Sequence, residues 1–99
     1  MESNSNENER RRVTVIVAGR VQGVFFRAST LEKAQQLSVV GTVRNLADRT
    51  VEIVAEGPKT AIEELLRWAH QGPPSAQVAS VSISDEEPTE DFKTFEVLR

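Results

Sequence analysis

One segment of this 99-residue chain gathers groups suited to holding an anion: Gly19-Arg20-Val21-Gln22-Gly23-Val24-Phe25-Phe26-Arg27. Before it lies a β-branched run, Val13–Ala18, that reads as a strand. After it, from about Phe26 to Leu37, Leu31, Ala34 and Leu37 recur at helical spacing. Successive backbone N–H groups in a glycine-containing loop can converge on an anion. The helix behind the loop adds its unpaired N–H groups and the positive end of its dipole. Arg27, in the first turn, presents a guanidinium fork that matches two phosphate oxygens. The set describes an oxyanion or phosphate cradle. Read alone, the same junction can simply turn the chain and leave Arg27 solvated. It is neither a P-loop nor a dinucleotide fingerprint, because it has no Gly-Lys-Ser/Thr and no G-x-G-x-x-G.

The remaining elements must hold that cradle. Thr42–Asn45 and Val51–Glu56 read as short strands joined by a tight hairpin at Ala47-Asp48-Arg49. Pro58 suits the first position of a second helix. Ala61, Ile62, Leu65, Leu66 and Ala69 form its apolar stripe. Gly72 suits a left-handed position after that helix, and Pro73-Pro74 prevents continuation. Val78–Ser84 follows as a strand with Val81 and Ile83 inward. The acidic stretch Asp85–Asp91 reads as a solvated loop, and a short last strand lies around Thr94–Leu98. The order is β-α-β-β-α-β plus a short fifth strand. That predicts an α+β fold, a ferredoxin-like α/β sandwich whose antiparallel sheet carries two helices on one face.

Composition narrows the classes. The chain has no Cys and one His, His70, which excludes thiolate chemistry and leaves no basis for a His-rich metal site. A hydrophobic fraction of 38% with 27% charged residues fits one globular domain. No apolar run approaches the roughly 18–20 residues needed to span a bilayer. These features lead us to expect a cytoplasmic protein with no membrane partner. The net charge is −3, and the strands carry almost no aromatics, which argues against nucleic acid. Residues 1–12 read as a disordered polar tail before a domain at 13–99. Arg10–Arg12 at its end are either a solubilising flank or a contact for an anionic partner.

The loop Gly19–Arg27 resembles the signature of acylphosphatases, G-x-V-Q-G-V-x-F-R. Gly41-Thr-Val-Arg-Asn45 with Val51…Gly57-Pro58 is similar to the family's second block. Gly72-Pro-Pro-Ser-Ala-Gln-Val78 is similar to its G-P-P-x-A-x-V segment. The resemblance covers about residues 13–98 in one element order. It implies hydrolysis of an acyl phosphate to a carboxylate and inorganic phosphate, without a metal, a cofactor or a phosphoenzyme. It also implies that Arg27 binds the phosphoryl group with backbone N–H groups of Val21, Gln22, Gly23, Val24, Phe25 and Phe26, and that Asn45 holds the attacking water. The expected partners are then a small acyl phosphate and inorganic phosphate, with the protein a monomer.

The residues support that reaction class on their own chemistry. The cradle has no evident base or nucleophile beside it, so it can only position and stabilise charge. Phosphoryl transfer through a loose transition state asks mainly for those two things. The leaving group must then depart unaided. A carboxylate, whose conjugate acid has a pKa of about 4, can do so, whereas an alkoxide would need a proton. The amide of Asn45 both donates and accepts, which suits water positioning. Two positions depart from the family pattern: Thr42 stands where a large residue is usual, and Arg49 where Gly is usual. A non-glycine residue in a left-handed turn costs about 1 kcal/mol, so a rebuilt or weaker hairpin is expected there. The alternative function is then a non-catalytic phosphate-binding or regulatory module that has lost efficient water positioning. Arg49 is also a candidate for a second anion contact near the mouth.

Overall fold

The computed structural model describes residues 9–99. The polar stretch 1–8, most of the segment expected to be disordered, lies outside the described residues. Seven elements follow in order: β1 (Arg10–Arg20), α1 (Phe26–Leu37), β2 (Val40–Asn45), β3 (Val51–Pro58), α2 (Lys59–Ala69), β4 (Gln77–Glu86) and β5 (Phe95–Val97). The strands form one sheet in the order β4-β1-β3-β2-β5. This is the ferredoxin-like α+β arrangement with an added fifth strand.

The apolar run of β1 explains its interior place, between β4 and β3. Val13, Val15 and Val17 point to the inner face and are fully buried, while the alternate residues face outward. Opposite them stand Val51, Ile53 and Ala55 of β3, in a register that pairs Val13 with Ala55, Val15 with Ile53 and Val17 with Val51. Helix α2 covers this layer with Ile62, Leu65, Leu66 and Ala69, the stripe read from its spacing. Helix α1 buries Phe26, Thr30 and Ala34 most deeply. Thr30 can be buried because its hydroxyl donates to the Phe26 carbonyl at 2.8 Å. Trp68 packs at the edge of this core, its ring 5.4 Å from that of Phe26. After α2 the chain turns through Gly72 at φ 70°. A side chain there would place Cβ 2.7 Å from the Phe26 ring.

Four expectations need correction. First, β1 starts at Arg10, so Arg10–Arg12 are strand residues. Arg10 lies 3.7 Å from Glu56, Arg11 3.0 Å from Asp85 and Arg12 3.1 Å from Glu56. Charged residues are stable in this strand because carboxylates face them from β3 and β4.

Second, the sheet is mixed: β5 runs parallel to β2, with Gly41 opposite Phe95 and Val43 opposite Val97. Strands β4 and β5 occupy opposite edges, and their connection returns along one end of the sheet, which fixes the direction of β5. Third, Ile83 pairs with Val15 but is 40% exposed. The main helix contacts fall on β1, β2, β3 and β5, so the Ile83 end of β4 has little helix cover, whereas Val81 still packs against the core. Fourth, Pro58 ends β3 with extended backbone (ψ 144°), and Lys59 is the first helical residue.

The acidic connection is not merely solvated. Glu56 is fully buried beneath it, accepting hydrogen bonds from the backbone N–H of Thr89 (3.3 Å) and Glu90 (3.0 Å) and from Arg12 Nη1 (3.1 Å). Arg12 also reaches Glu86 and Asp91 and lies 4.8 Å from the centre of the Phe92 ring. Burial alone would raise the Glu56 pKa. The two N–H groups and the arginines outweigh it and hold the carboxyl below its usual range.

Candidate active site

The C-terminal end of β1, the start of α1, the end of β2 and the end of β5 meet at the opposite end of the sheet from Glu56. The loop 21–25 crosses this meeting point. Gly23 (φ 75°) and Phe25 (φ 66°) both take left-handed backbone there. Phe25 is the residue before the helix, and its carbonyl accepts the Ser29 N–H at 3.0 Å. No side chain caps α1, and its first turn carries no acid. The helix start therefore keeps its N–H groups available to an outside acceptor.

Beside the loop opens a cavity of about 450 Å³. Val21, Gly23, Phe25, Phe26, Arg27 and Asn45, six of the residues singled out from sequence, line it. Gln22 and Val24 do not. Val24 packs against the core. Gln22 turns toward the hairpin, where its amide nitrogen donates to the Leu46 and Thr50 carbonyls, each at 2.9 Å. Two hydrogen bonds thus fasten the 21–25 loop to the strand ends that carry Asn45.

Arg27 Nη1 donates to the Leu98 carbonyl at 3.4 Å, and among the described residues no carboxylate neutralises its guanidinium. Asn45 Oδ1 is buried and has no hydrogen-bond partner among the described residues. A buried acceptor left open costs free energy unless something donates to it. Asn45 itself is one of the residues lining the cavity.

The hairpin that carries Asn45 is closed, contrary to the expected rebuilding. Leu46 N–H donates to the Thr50 carbonyl at 2.9 Å, and Arg49 N–H to the Leu46 carbonyl at 3.1 Å. Arg49 takes the left-handed position at φ 77°, as in a three-residue hairpin loop. The Asp48 carboxylate accepts from the Thr50 hydroxyl (2.6 Å) and N–H (3.1 Å), and these two donors hold its pKa below the usual range. Arg49 does not reach the Arg27 cavity. It borders a separate depression on the other side of the loop.

Sequence reasoning missed the far wall, made by Ala28, Leu31, Val97 and Arg99. Ala28 and Leu31 could have been found from helical spacing after Arg27. Val97 and Arg99 depend on the parallel placement of β5, for which the sequence carries no signal. Among the described residues no cluster of three or more His, Asp or Glu side chains is arranged for a metal ion, and no helix is long and apolar enough to cross a membrane.

Comparison with known proteins gives this fold and site a class. Residues 13–97 match the family model for acylphosphatases. An acylphosphatase of Rubrobacter xylanophilus is 49% identical over 96 residues, covering 97% of this chain and 87% of the relative. One of Trichormus variabilis is 48% identical over 99 residues, covering all of this chain and 97% of the relative. Among solved structures, the acylphosphatase from Bacillus subtilis superposes with a TM-score of 0.87 at 32% identity, over 90% of this chain and 99% of that one. An acylphosphatase from Coxiella burnetii gives 0.86 at 40% identity, over 93% and 96%. The chain belongs to the acylphosphatase family. It is an enzyme of that family, a hydrolase of acyl phosphates.

Proposed function

We propose that Arg27 and the 21–26 backbone hold the phosphoryl group of an acyl phosphate while Asn45 positions the water that attacks it. The observation that carries this reading is that Asn45, whose buried Oδ1 has no hydrogen-bond partner among the described residues, lines the same cavity as Arg27. A water donating to Oδ1 keeps a lone pair free for phosphorus. The new P–O bond forms as the bond to the acyl oxygen breaks, and the carboxylate leaves with the electron pair. The proton of the attacking water passes to a phosphoryl oxygen, since no side chain at the cavity is a strong base. Arg27 and the loop N–H groups offset the charge spread over the equatorial oxygens. The closed 46–50 hairpin supports accurate placement of Asn45, which favours turnover over a module that only binds.

The test is hydrolysis of a simple acyl phosphate in excess chelator, with inorganic phosphate binding measured in parallel. Wild type turns over. Arg27→Ala loses turnover together with the phosphate binding that competes with the substrate. Asn45→Ala keeps phosphate binding and loses rate, by about 10²–10³-fold if it acts like a single transition-state hydrogen bond. Equal loss of binding in both variants would remove the division of roles.

A further inference from the structure

Most arginines of the fold are matched to carboxylates: Arg10, Arg11, Arg12, Arg44 and Arg67 each have one within 4.0 Å. Arg20 and Arg49 have none among the described residues. Both border one depression of about 410 Å³, together with Gly19, Val21 and Gln22. The acids nearest in sequence are occupied. Asp48 is turned onto Thr50, and Glu52 accepts from Arg44 at 2.8 Å. Arg20 and Arg49 thus line one concave site on a chain of net charge −3, and among the described residues no acid lies within 4.0 Å of either. Arg49 is held there in a left-handed turn where glycine would be free of strain.

We propose that Arg20 and Arg49 form a second anion site, separate from the Arg27 cavity and backed by the same loop, which takes a phosphate or carboxylate group. Two forked donors from different elements can share one oxyanion, each contributing charge-assisted hydrogen bonds. The depression belongs to the ends of β1 and of the 46–50 hairpin, so it is present whenever the Asn45 hairpin is closed. Val21 lies between the two cavities and lines both. The occupant is either free phosphate or the remote anionic group of a doubly charged acyl phosphate.

Inorganic phosphate, titrated at low ionic strength into Arg27→Ala protein, tests the site without the first one. Calorimetry and the amide resonances of residues 19–22 report it. One saturable phosphate site survives in Arg27→Ala, and adding Arg49→Gly or Arg20→Gln weakens it about tenfold or more. Arg49→Gly relieves backbone strain, so loss of the site in that variant is not loss of fold. Disappearance of all phosphate binding with Arg27 alone overturns the proposal. So does a surviving site indifferent to both Arg20 and Arg49. Neither result touches the role of Arg27, which turnover of the wild type against Arg27→Ala decides.

The source of the anion is read on the otherwise wild-type enzyme, and this comparison rests on the Arg27 reading. If Arg49→Gly raises KM only for an acyl phosphate carrying a second phosphate, the remote group is the ligand. If KM is unchanged for both substrates, the surviving site belongs to free phosphate.

Discussion

The side chain of Gln22 reaches the carbonyl of Leu46 at 2.9 Å, so the loop proposed to hold phosphate is bonded to the residue that follows Asn45. A second bond, to Thr50, closes the link on the other strand of the hairpin. The two halves of the site are held in register by one amide group.

Gln22→Ala leaves both carbonyls without their donor. Chemical denaturation should show a loss of about 1–3 kcal/mol. Turnover should fall more than phosphate affinity does, because Arg27 and the loop stay together while Asn45 is freed to move. A variant with unchanged kcat would show that the hairpin needs no support from the loop.

Arg49→Gly should raise stability by up to about 1 kcal/mol, since glycine takes φ 77° without steric cost. For a domain of this size that is an increase of roughly 4–8 °C in Tm. Hydrolysis of a simple, singly charged acyl phosphate should be preserved, which separates the stability effect from the anion site.

Glu56 sets a pH dependence of stability. Its pKa is lower folded than unfolded, so its contribution is complete above the unfolded value of about 4.3. It is lost as pH falls through the folded value. Glu86, Asp91 and Asp48 are shifted in the same direction and add to the same acid limb. Urea midpoints should therefore fall below about pH 4.5 and stay flat from there to neutrality. Glu56→Gln should cost about 2–3 kcal/mol, because the amide keeps one acceptor oxygen: bonds to that oxygen lose their charge assistance, and the donors at the other carboxylate oxygen face an NH2 group. It should also flatten the acid limb. The rate per folded molecule should not change, since five residues of β3, about 17 Å of strand, separate Glu56 from Val51, the partner of Asn45.

Gly72→Ala tests the link between α2 and the site. The new Cβ would meet the Phe26 ring at 2.7 Å, on a backbone at φ 70° that alanine disfavours. A loss of about 1–3 kcal/mol is expected. Phe26 immediately precedes Arg27, so KM should rise as well. A purely thermal effect would show that α1 absorbs the displacement.

The cradle was legible because its parts are contiguous: Gly23, Phe25 and Arg27 lie within five residues, and the apolar stripe of α2 repeats at fixed spacing. Glu56 was not. In the strand pattern it is an outward-facing position, and its burial comes from a connection some thirty residues later in the chain, whose polar composition reads as solvated. Ile83 failed in the opposite sense. Its alternation gave the correct face, but alternation does not say how far the helix layer extends. The parallel placement of β5 was hidden because three residues carry no register signal. Arg49 was expected to disturb its turn. The turn instead imposed the left-handed conformation on Arg49, held by hydrogen bonds on both sides.

The interior position of β1, between β4 and β3, governs how quickly an active molecule can form. Arg12 finds its partners 44 residues away on β3 and 74 away on β4. Closing such loops costs entropy before any sheet contact offsets it, and topologies of this kind fold in milliseconds to seconds rather than microseconds. The 21–25 loop leaves the end of β1, and the hairpin that carries Asn45 is anchored to it through Gln22. Neither has a fixed frame until β1 is flanked on both sides. A chain returning from denaturant should recover its rate in the same slow, cooperative step that completes the sheet.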